Sequence, residues 1–292
     1  MIKFIFSPKK VPVFHGKKLR SLIDIQPRKY KIDASLGKKT LFVTIEKTKN
    51  SLKIDDFSID LDALRLKIKN TRLIYTIDHS LLSPVSLNFS GSLFQLVLFE
   101  KCITPTLEIS GIHMHRVLID PLFRDAKIKV STLKPRPHSR VLEICTGLGY
   151  TTYWLMRKKC KIIATIEKNE PTLQIAEYNP WSSHLENAPI IIGAAEDVLR
   201  HFDSCSVDYL LHDPPRISIA PELYSTDIYH EFWRILKPGG RLFHYAGEPG
   251  RKRGKRTIRG ILERLRDAKF SSVAYIHRAQ GVIATKPNYS II

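Results

Sequence analysis

Cysteine is scarce: four in 292 residues, Cys102, Cys145, Cys160 and Cys205, with no Cys-x-x-Cys pair. That spacing speaks against a zinc ribbon and implies no disulfide framework, so buried free thiols are expected. Long apolar runs are also lacking, and none approaches the length of a membrane span. The opening residues, MIKFIFSPKK, have too short an apolar core for a secretory signal, so no membrane role is expected and the cytoplasm is the expected compartment. No internal repeat or low-complexity tract is visible. The acidic group Asp55, Asp56, Asp60 and Asp62 lacks the glycine and ligand spacing of a calcium loop, so a solvated face and no metal site are expected. Acids in general are outnumbered, 28 Asp and Glu against 47 Lys and Arg, for a net charge of +19. Such a surface attracts polyanions, with nucleic acid the leading candidate, and is a poor host for polycations. Residues 1–110 carry 19 basic and 10 acidic side chains, net +9, so both halves share the excess.

What is present is a packed chain, 43% hydrophobic and 26% charged. Short runs recur over residues 1–110: Lys3–Phe6, Leu41–Ile45, Leu64–Ile68, Leu73–Ile77 and Leu93–Phe99. Polar turns separate them and β-branched and aromatic residues are frequent, which predicts a small β-rich N-terminal domain. Residues 111–292 alternate apolar strands with helical patterns. The expected fold class is α/β, with a Rossmann-like, seven-stranded, mostly parallel sheet following that β-rich domain.

The chain is organised around Val141-Leu142-Glu143-Ile144-Cys145-Thr146-Gly147-Leu148-Gly149-Tyr150. It reads as a buried strand, a small-residue turn and a helix start. Glycine lets the backbone approach a ligand without a Cβ in the way, and the helix amino end offers free N–H groups. A second apolar strand, Lys161–Ile166, ends at Glu167, where a carboxylate that accepts both ribose hydroxyls is expected. These residues resemble the class I S-adenosylmethionine-dependent methyltransferases. Glu143 holds the acid of the first motif, Gly147 and Gly149 hold its last two glycines, and Cys145 replaces the first. The resemblance covers roughly residues 112–292. It implies S-adenosyl-L-methionine as cofactor, with Glu143, Cys145, Thr146, Gly147, Gly149, Tyr150 and Glu167 as cofactor-binding residues. The family places an acid or amide for the adenine just past a third-strand glycine. Ala194 follows Gly193 here, so Glu196 or Asp197, or a backbone group, must serve.

The fourth strand, Val207–His212, runs into Asp213-Pro214-Pro215-Arg216, a stiff loop at the carboxyl edge. Methyltransferases acting on exocyclic amines of bases carry a similar Asn/Asp-Pro-Pro-aromatic motif. That likeness makes Asp213, Pro214, Pro215 and Arg216 the candidate catalytic residues, with Arg216 in the aromatic position, where a guanidinium can stack. A similar loop in uracil-carbon methylating enzymes works with a cysteine beyond the fifth strand, and none follows Cys205. Spermidine synthases are a second resemblance, carried by Asp213-Pro214, Ala220-Pro221-Glu222-Leu223-Tyr224 and Tyr229. Their upstream loop acid is replaced by Leu210 or His212. The combined pattern resembles a group of archaeal predicted methyltransferases with spermidine-synthase-like features. Methyl transfer from S-adenosylmethionine to RNA is the expected function. Aminopropyl transfer from decarboxylated S-adenosylmethionine and a non-enzymatic RNA-binding protein with a relict core are the alternatives.

Three further stretches bear on the site. A helix is expected over Pro121–Leu133, and the resemblance to methyltransferases implies that it packs beside the cofactor. His113 and His115 share one face of an extended segment. The run Arg251–Arg259 (RKRGKRTIR) is expected as a basic loop before a helix, Ile258–Ala268, and is the candidate for RNA phosphates.

Overall fold

The computed structural model describes residues 1–54, 57–78, 81–247 and 252–288. The chain divides into two compact units. One comprises Met1–Phe6, Leu122–Glu170 and 184–292; the other Ser7–Pro121 and Pro171–Ser183. The sequence expectation placed a single boundary after residue 110.

The first unit is built on an eight-stranded sheet. In chain order its strands are β1 (Ile2–Phe4), β2 (Arg140–Ile144), β3 (Lys161–Glu167), β4 (Ile190–Ile192), β5 (Val207–His212), β6 (Leu236–Tyr245), β7 (Ser271–Ile276) and β8 (Gly281–Thr285). Their spatial order is β1-β4-β3-β2-β5-β6-β8-β7. Strands β4, β3, β2, β5 and β6 are parallel. The closing hairpin β7–β8 joins β6 antiparallel. The eighth strand is the N-terminal Ile2–Phe4, paired antiparallel with β4 through Lys3↔Ile191; it extends the seven expected strands by one. Parallel strands need both faces covered, so their sequences are near-continuous apolar runs. Leu142, Ile144, Leu210 and Leu242 are fully buried in one face of the core, and Val141, Leu211 and Phe243 in the other.

Four helices matter below: α1 (Lys127–Leu133), α2 (Tyr150–Arg157), α3 (Thr226–Ile235) and α4 (Lys252–Asp267). Before α1, Pro121–Ala126 winds as a π-helix, so the expected single helix begins with a widened turn. Helix α4 overturns another expectation. The basic run is not a loop: from Lys252 onward it is helical, because Arg and Lys are good helix formers and Ile258, Ile261, Leu265 and Ala268 keep one face buried. Arg251 lies outside the described residues, and of Lys252 and Arg253 only the backbone is described.

The second unit is β-rich, with three antiparallel sheets. Its four-stranded meander runs through Lys29–Asp33, Thr40–Glu46, Ser51–Ile54 and Phe57–Asp60. Leu64–Ile68, expected as a strand-like run, is mostly helix, Leu61–Lys67. Asp60 caps it by accepting from Ala63 N (2.8 Å), and Leu61, Leu64 and Ile68 bury one helical face. Asp60 and Asp62 both accept from Asn50 Nδ2 (2.9 and 2.8 Å); Asp55 and Asp56 lie outside the described residues. His113 and His115 are bound inside this unit. His113 Nε2 lies 2.9 Å from Glu108 Oε2, and His115 Nδ1 2.8 Å from Thr106 Oγ1. Among the described residues no helix is long and apolar enough to cross a membrane.

Candidate active site

The order β3-β2-β5 places the first crossover pair of the parallel sheet at its centre, and the crevice outside their carboxyl ends is the topological switch point of such a sheet. Three candidate segments meet there. The turn after β2 is tied to β3 by Cys145 N and Thr146 N, both donating to Ile166 O (2.8 and 3.1 Å). The loop after β5 is tied to β2 by Asp213 N donating to Ile144 O (3.2 Å). Glu167 ends β3, on the other side of β2 from the β5 loop.

The two glycines of the turn have different tasks. Gly149 (φ +73°) starts α2, and a Cβ there would lie 2.6 Å from Leu185 Cδ2. Gly147 (φ +54°) would direct a Cβ into open space, with no heavy atom within 4 Å. Gly149 is therefore required by packing, and Gly147 leaves a cradle beside the turn. Glu167 faces that cradle. Its Oε2 accepts from Gly147 N (3.0 Å) and its Oε1 from Asn169 N (2.9 Å). The Lys168 N–H is a third backbone donor, so of about four acceptor positions on the carboxylate one remains for a ligand hydroxyl. Burial pushes the Glu167 carboxyl up, against the lowering effect of these N–H donors.

The other candidates take varied positions. Glu143 is fully buried and accepts from Thr152 Oγ1 on α2, so its carboxylate orders the strand-to-helix turn; burial pushes it up as well. Thr146 Oγ1 is buried against Thr165 Oγ1 (2.7 Å), and Tyr150 is buried. Glu196 and Asp197 sit in the short helix Ala195–Val198, which follows Gly193; Gly193 N donates to Glu167 O (3.0 Å). The Cys145 thiol is pushed well up by burial and then by the negative charges of Glu167, Asp213, Glu143 and Glu222. This pocket is thus a local concentration of carboxylates on a chain of net charge +19.

Asp213 has a partner that sequence reasoning missed. Lys129 Nζ on α1 donates to both Asp213 oxygens (2.8 and 2.7 Å) and lies 2.9 Å from Asp125 Oδ2. It also sits 4.6 Å from the centre of the Tyr245 ring, at the end of β6. The Lys129 side chain is 4% exposed, Asp125 1% and Asp213 17%. Burial alone would lower the Lys129 ammonium; the charges of Asp125 and then Asp213 outweigh it, and the net shift is upward. Burial pushes the Asp213 carboxyl up, and Lys129 pulls it part of the way back. The signal was present in sequence: Asp125 and Lys129 are four apart, amid the apolar positions Leu122, Ala126, Val130 and Leu133.

Pro214 is buried and Arg216 exposed. The loop is braced by Tyr224 Oη, which donates to Pro215 O (2.7 Å), and Arg216 O accepts from Ile219 N (2.8 Å). Directly behind it, His212 is fully buried and stacked on His244 of β6, ring centres 4.7 Å apart. Among the described residues no cluster of His, Cys, Asp or Glu is arranged to hold a metal ion.

No protein-family model matches the chain. The uncharacterized protein MJ1233 of Methanocaldococcus jannaschii is 38% identical over 259 residues, 88% of each chain. Two shorter likenesses point to different chemistries. An uncharacterized RNA methyltransferase of Lactobacillus johnsonii is 29% identical over 104 residues, 35% of this chain and 22% of that protein. Polyamine aminopropyltransferase 2 of Streptomyces coelicolor is 28% identical over 150 residues, 48% of this chain and 26% of that one. Among solved structures, a spermidine synthase in complex with the transition-state analogue AdoDATO matches with TM-score 0.56 at 15% identity, covering 92% of this chain and 83% of that one. The fold is therefore that of the spermidine synthases, a small β-rich part with a Rossmann-like core.

Proposed function

The chain belongs to the family of the Methanocaldococcus jannaschii protein MJ1233, and from that premise and the site's geometry we propose that it methylates a non-basic exocyclic nitrogen of an RNA base. Glu167 and the Gly147 cradle hold the cofactor, with Cys145 and Thr146 in the same turn. S-adenosylmethionine, when bound, supplies a sulfonium methyl group open to in-line displacement, so positioning dominates catalysis.

One observation carries the choice of acceptor: Asp213 is held by a buried lysine. Its partly exposed side chain accepts a hydrogen bond from an acceptor N–H, which orients the nitrogen lone pair. The proton released as that nitrogen gains its new bond passes to the carboxylate, whose proton affinity burial raises. An exocyclic base amine is neutral at pH 7 and needs no prior deprotonation. A polyamine nitrogen is an alkylammonium, with a pKa of roughly 10 by analogy with lysine, and must lose a proton before it attacks. Asp213 is already engaged by the Lys129 charge, and the upstream loop position is Leu210 or His212, both fully buried. The net charge of +19 and the likeness to the Lactobacillus RNA methyltransferase support RNA as the acceptor.

The likeness to the Streptomyces aminopropyltransferase, with the carboxylates around Cys145, favours a second reading, aminopropyl transfer to a polyamine. Methyl-labelled S-adenosylmethionine offered with total cellular RNA, protein and small-molecule fractions separates the two, alongside decarboxylated S-adenosylmethionine with polyamines. Label in RNA is the expected result. Turnover of the decarboxylated cofactor with a polyamine, and none with RNA, would replace methylation by aminopropyl transfer. Calorimetry checks the cofactor site: Glu167→Ala should weaken S-adenosylmethionine by about 1.5–3 kcal/mol for each charge-assisted hydrogen bond lost. Unchanged affinity in the folded variant would remove Glu167 from the site. No heat of binding to the wild type would point to a relict core.

A further inference from the structure

Beside the acceptor loop the first unit has a cleft of about 630 Å³, lined by Ile217, Arg256, Thr257, Arg259, Gly260, Glu263 and Arg264. Its volume is that of a ligand site rather than a packing defect. All of its lining except Ile217 comes from α4, where Arg256, Arg259 or Gly260, and Glu263 recur at helical spacing along one face. Ile217 follows Arg216 directly and packs against the main core, so the cleft begins where the acceptor loop ends. The two walls are joined: Tyr224 Oη donates to Pro215 O (2.7 Å), and Arg264 Nε donates to Tyr224 O (3.0 Å). Arg264 is thereby committed to holding the wall. Arg259 Nε is oriented by Glu263 (2.8 Å), one carboxylate against three guanidinium groups. Arg256 is exposed and has no carboxylate partner among the described residues.

The charges near the acceptor loop are therefore segregated. On the inner side, buried Glu143, buried Glu167 and the largely buried Asp213 with its Lys129 partner surround the turn at Cys145. On the outer side, Arg256, Arg259 and Arg264 line the cleft with a single carboxylate, Glu263, and the exposed Arg216 precedes the lining residue Ile217 in the chain. A polyamine is cationic along its whole length and would meet repulsion at the cleft. A nucleotide is neutral at its base and anionic at its phosphate, which matches both sides at once. Guanidinium groups also suit phosphate, because their fork presents paired donors.

We propose that this cleft between the acceptor loop and α4 seats a backbone phosphodiester of a single-stranded RNA whose target base enters at Asp213. The assignment of the base to Asp213 rests on the methyltransferase reading above; the phosphate seat itself does not require catalysis.

The test uses the full chain and a short single-stranded RNA followed by fluorescence anisotropy. The double variant Arg256→Gln/Arg259→Gln spares Arg264 and touches exposed side chains only. Losing the contact to that one phosphate should reduce the salt slope by about 0.7, so between 50 and 200 mM salt the wild type should lose about 2.6-fold more affinity than the variant. Arg256→Lys/Arg259→Lys keeps the charge and should retain most of the slope, while S-adenosylmethionine binding should be unchanged in both. An unchanged slope in the Gln variant, or no RNA binding by the wild type, would overturn the cleft. Normal RNA binding through these arginines, with methyl label entering only a non-RNA fraction, would uphold the cleft and overturn the proposed acceptor.

Discussion

Removing Lys129 should be among the most damaging single changes in the first unit. Lys129→Met keeps the length of the side chain and deletes its charge. It leaves Asp125 (1% exposed) and Asp213 (17% exposed) facing each other without the ammonium that now lies 2.9 and 2.7 Å from their carboxylates. Breaking a buried pair by removing one member costs roughly 3–5 kcal/mol, because the remaining charge stays buried without compensation. For a domain of 150–250 residues that is about 6–20 °C in Tm, at roughly 2–4 °C per kcal/mol. The site can escape part of this by protonating Asp213, whose carboxyl burial already pushes up. Two readouts follow. Thermal unfolding should show the loss, and Asp125→Asn/Lys129→Met should recover part of it, since one charge is then left instead of two. If the proposed mechanism holds, the methylation rate at saturating cofactor should gain a rising limb with pH, because activity in Lys129→Met would need an ionised Asp213 that the wild type holds ionised through Lys129. A Lys129→Met protein with unchanged Tm and an unchanged pH profile would refute the buried, charged triad and, with it, the argument about acceptor basicity.

Gly149→Ala should cost about 2–5 kcal/mol, from about 1–2 for the left-handed backbone and about 1–3 for driving a Cβ into Leu185. Gly147→Ala should cost only the backbone part and act instead on S-adenosylmethionine affinity; calorimetry and thermal unfolding of the pair would contradict this if both fell equally in stability. Burial and then His244 lower the His212 pKa, and burial and then Arg264 lower that of His244 to about 3, so both rings are neutral when folded. A pKa depressed on folding gives stability that is fully present above pH 6.5 and lost as pH falls towards the folded value. Glu143, Glu167 and Asp213 are raised and act in the opposite sense, so the histidine contribution is read by difference. Between pH 6.5 and 5, His212→Phe should gain on the wild type by about 1.4 kcal/mol per pH unit in denaturant unfolding. Parallel curves would mean that His212 is charged or solvated in the folded protein.

Much of this protein is determined locally, and that part is legible without a structure. A parallel strand buried on both faces must be a short apolar run, so Val141–Ile144, Lys161–Ile166 and Val207–His212 announce themselves, and the acid and glycines that follow them mark the carboxyl edge where ligands bind. The order β4-β3-β2-β5-β6 is one of the few that right-handed crossovers allow once those runs are accepted as parallel strands. Local signals that compete are harder to rank. Leu64–Ile68 alternates well enough for a strand, but Asp60 caps a helix across it. The basic run before Ile258 suggested a loop, yet burial of Ile258, Ile261 and Leu265 carries the helix back to Lys252.

What only the tertiary structure decided is pairing across distance. Nothing in the sequence joins Lys129 to Asp213, 84 residues away; two helical turns and a strand end must meet first. Gly147 and Gly149 look alike in the motif and are separated only by Leu185, which arrives from a remote segment to fill the space beside one of them. The cationic cleft and the acidic pocket likewise share one loop only because α4 packs beside it through Arg264 and Tyr224. Composition supplied the charge, and folding sorted it, because an ion's energy depends on its neighbours in space and on how much water they exclude, neither of which is a property of its place in the chain.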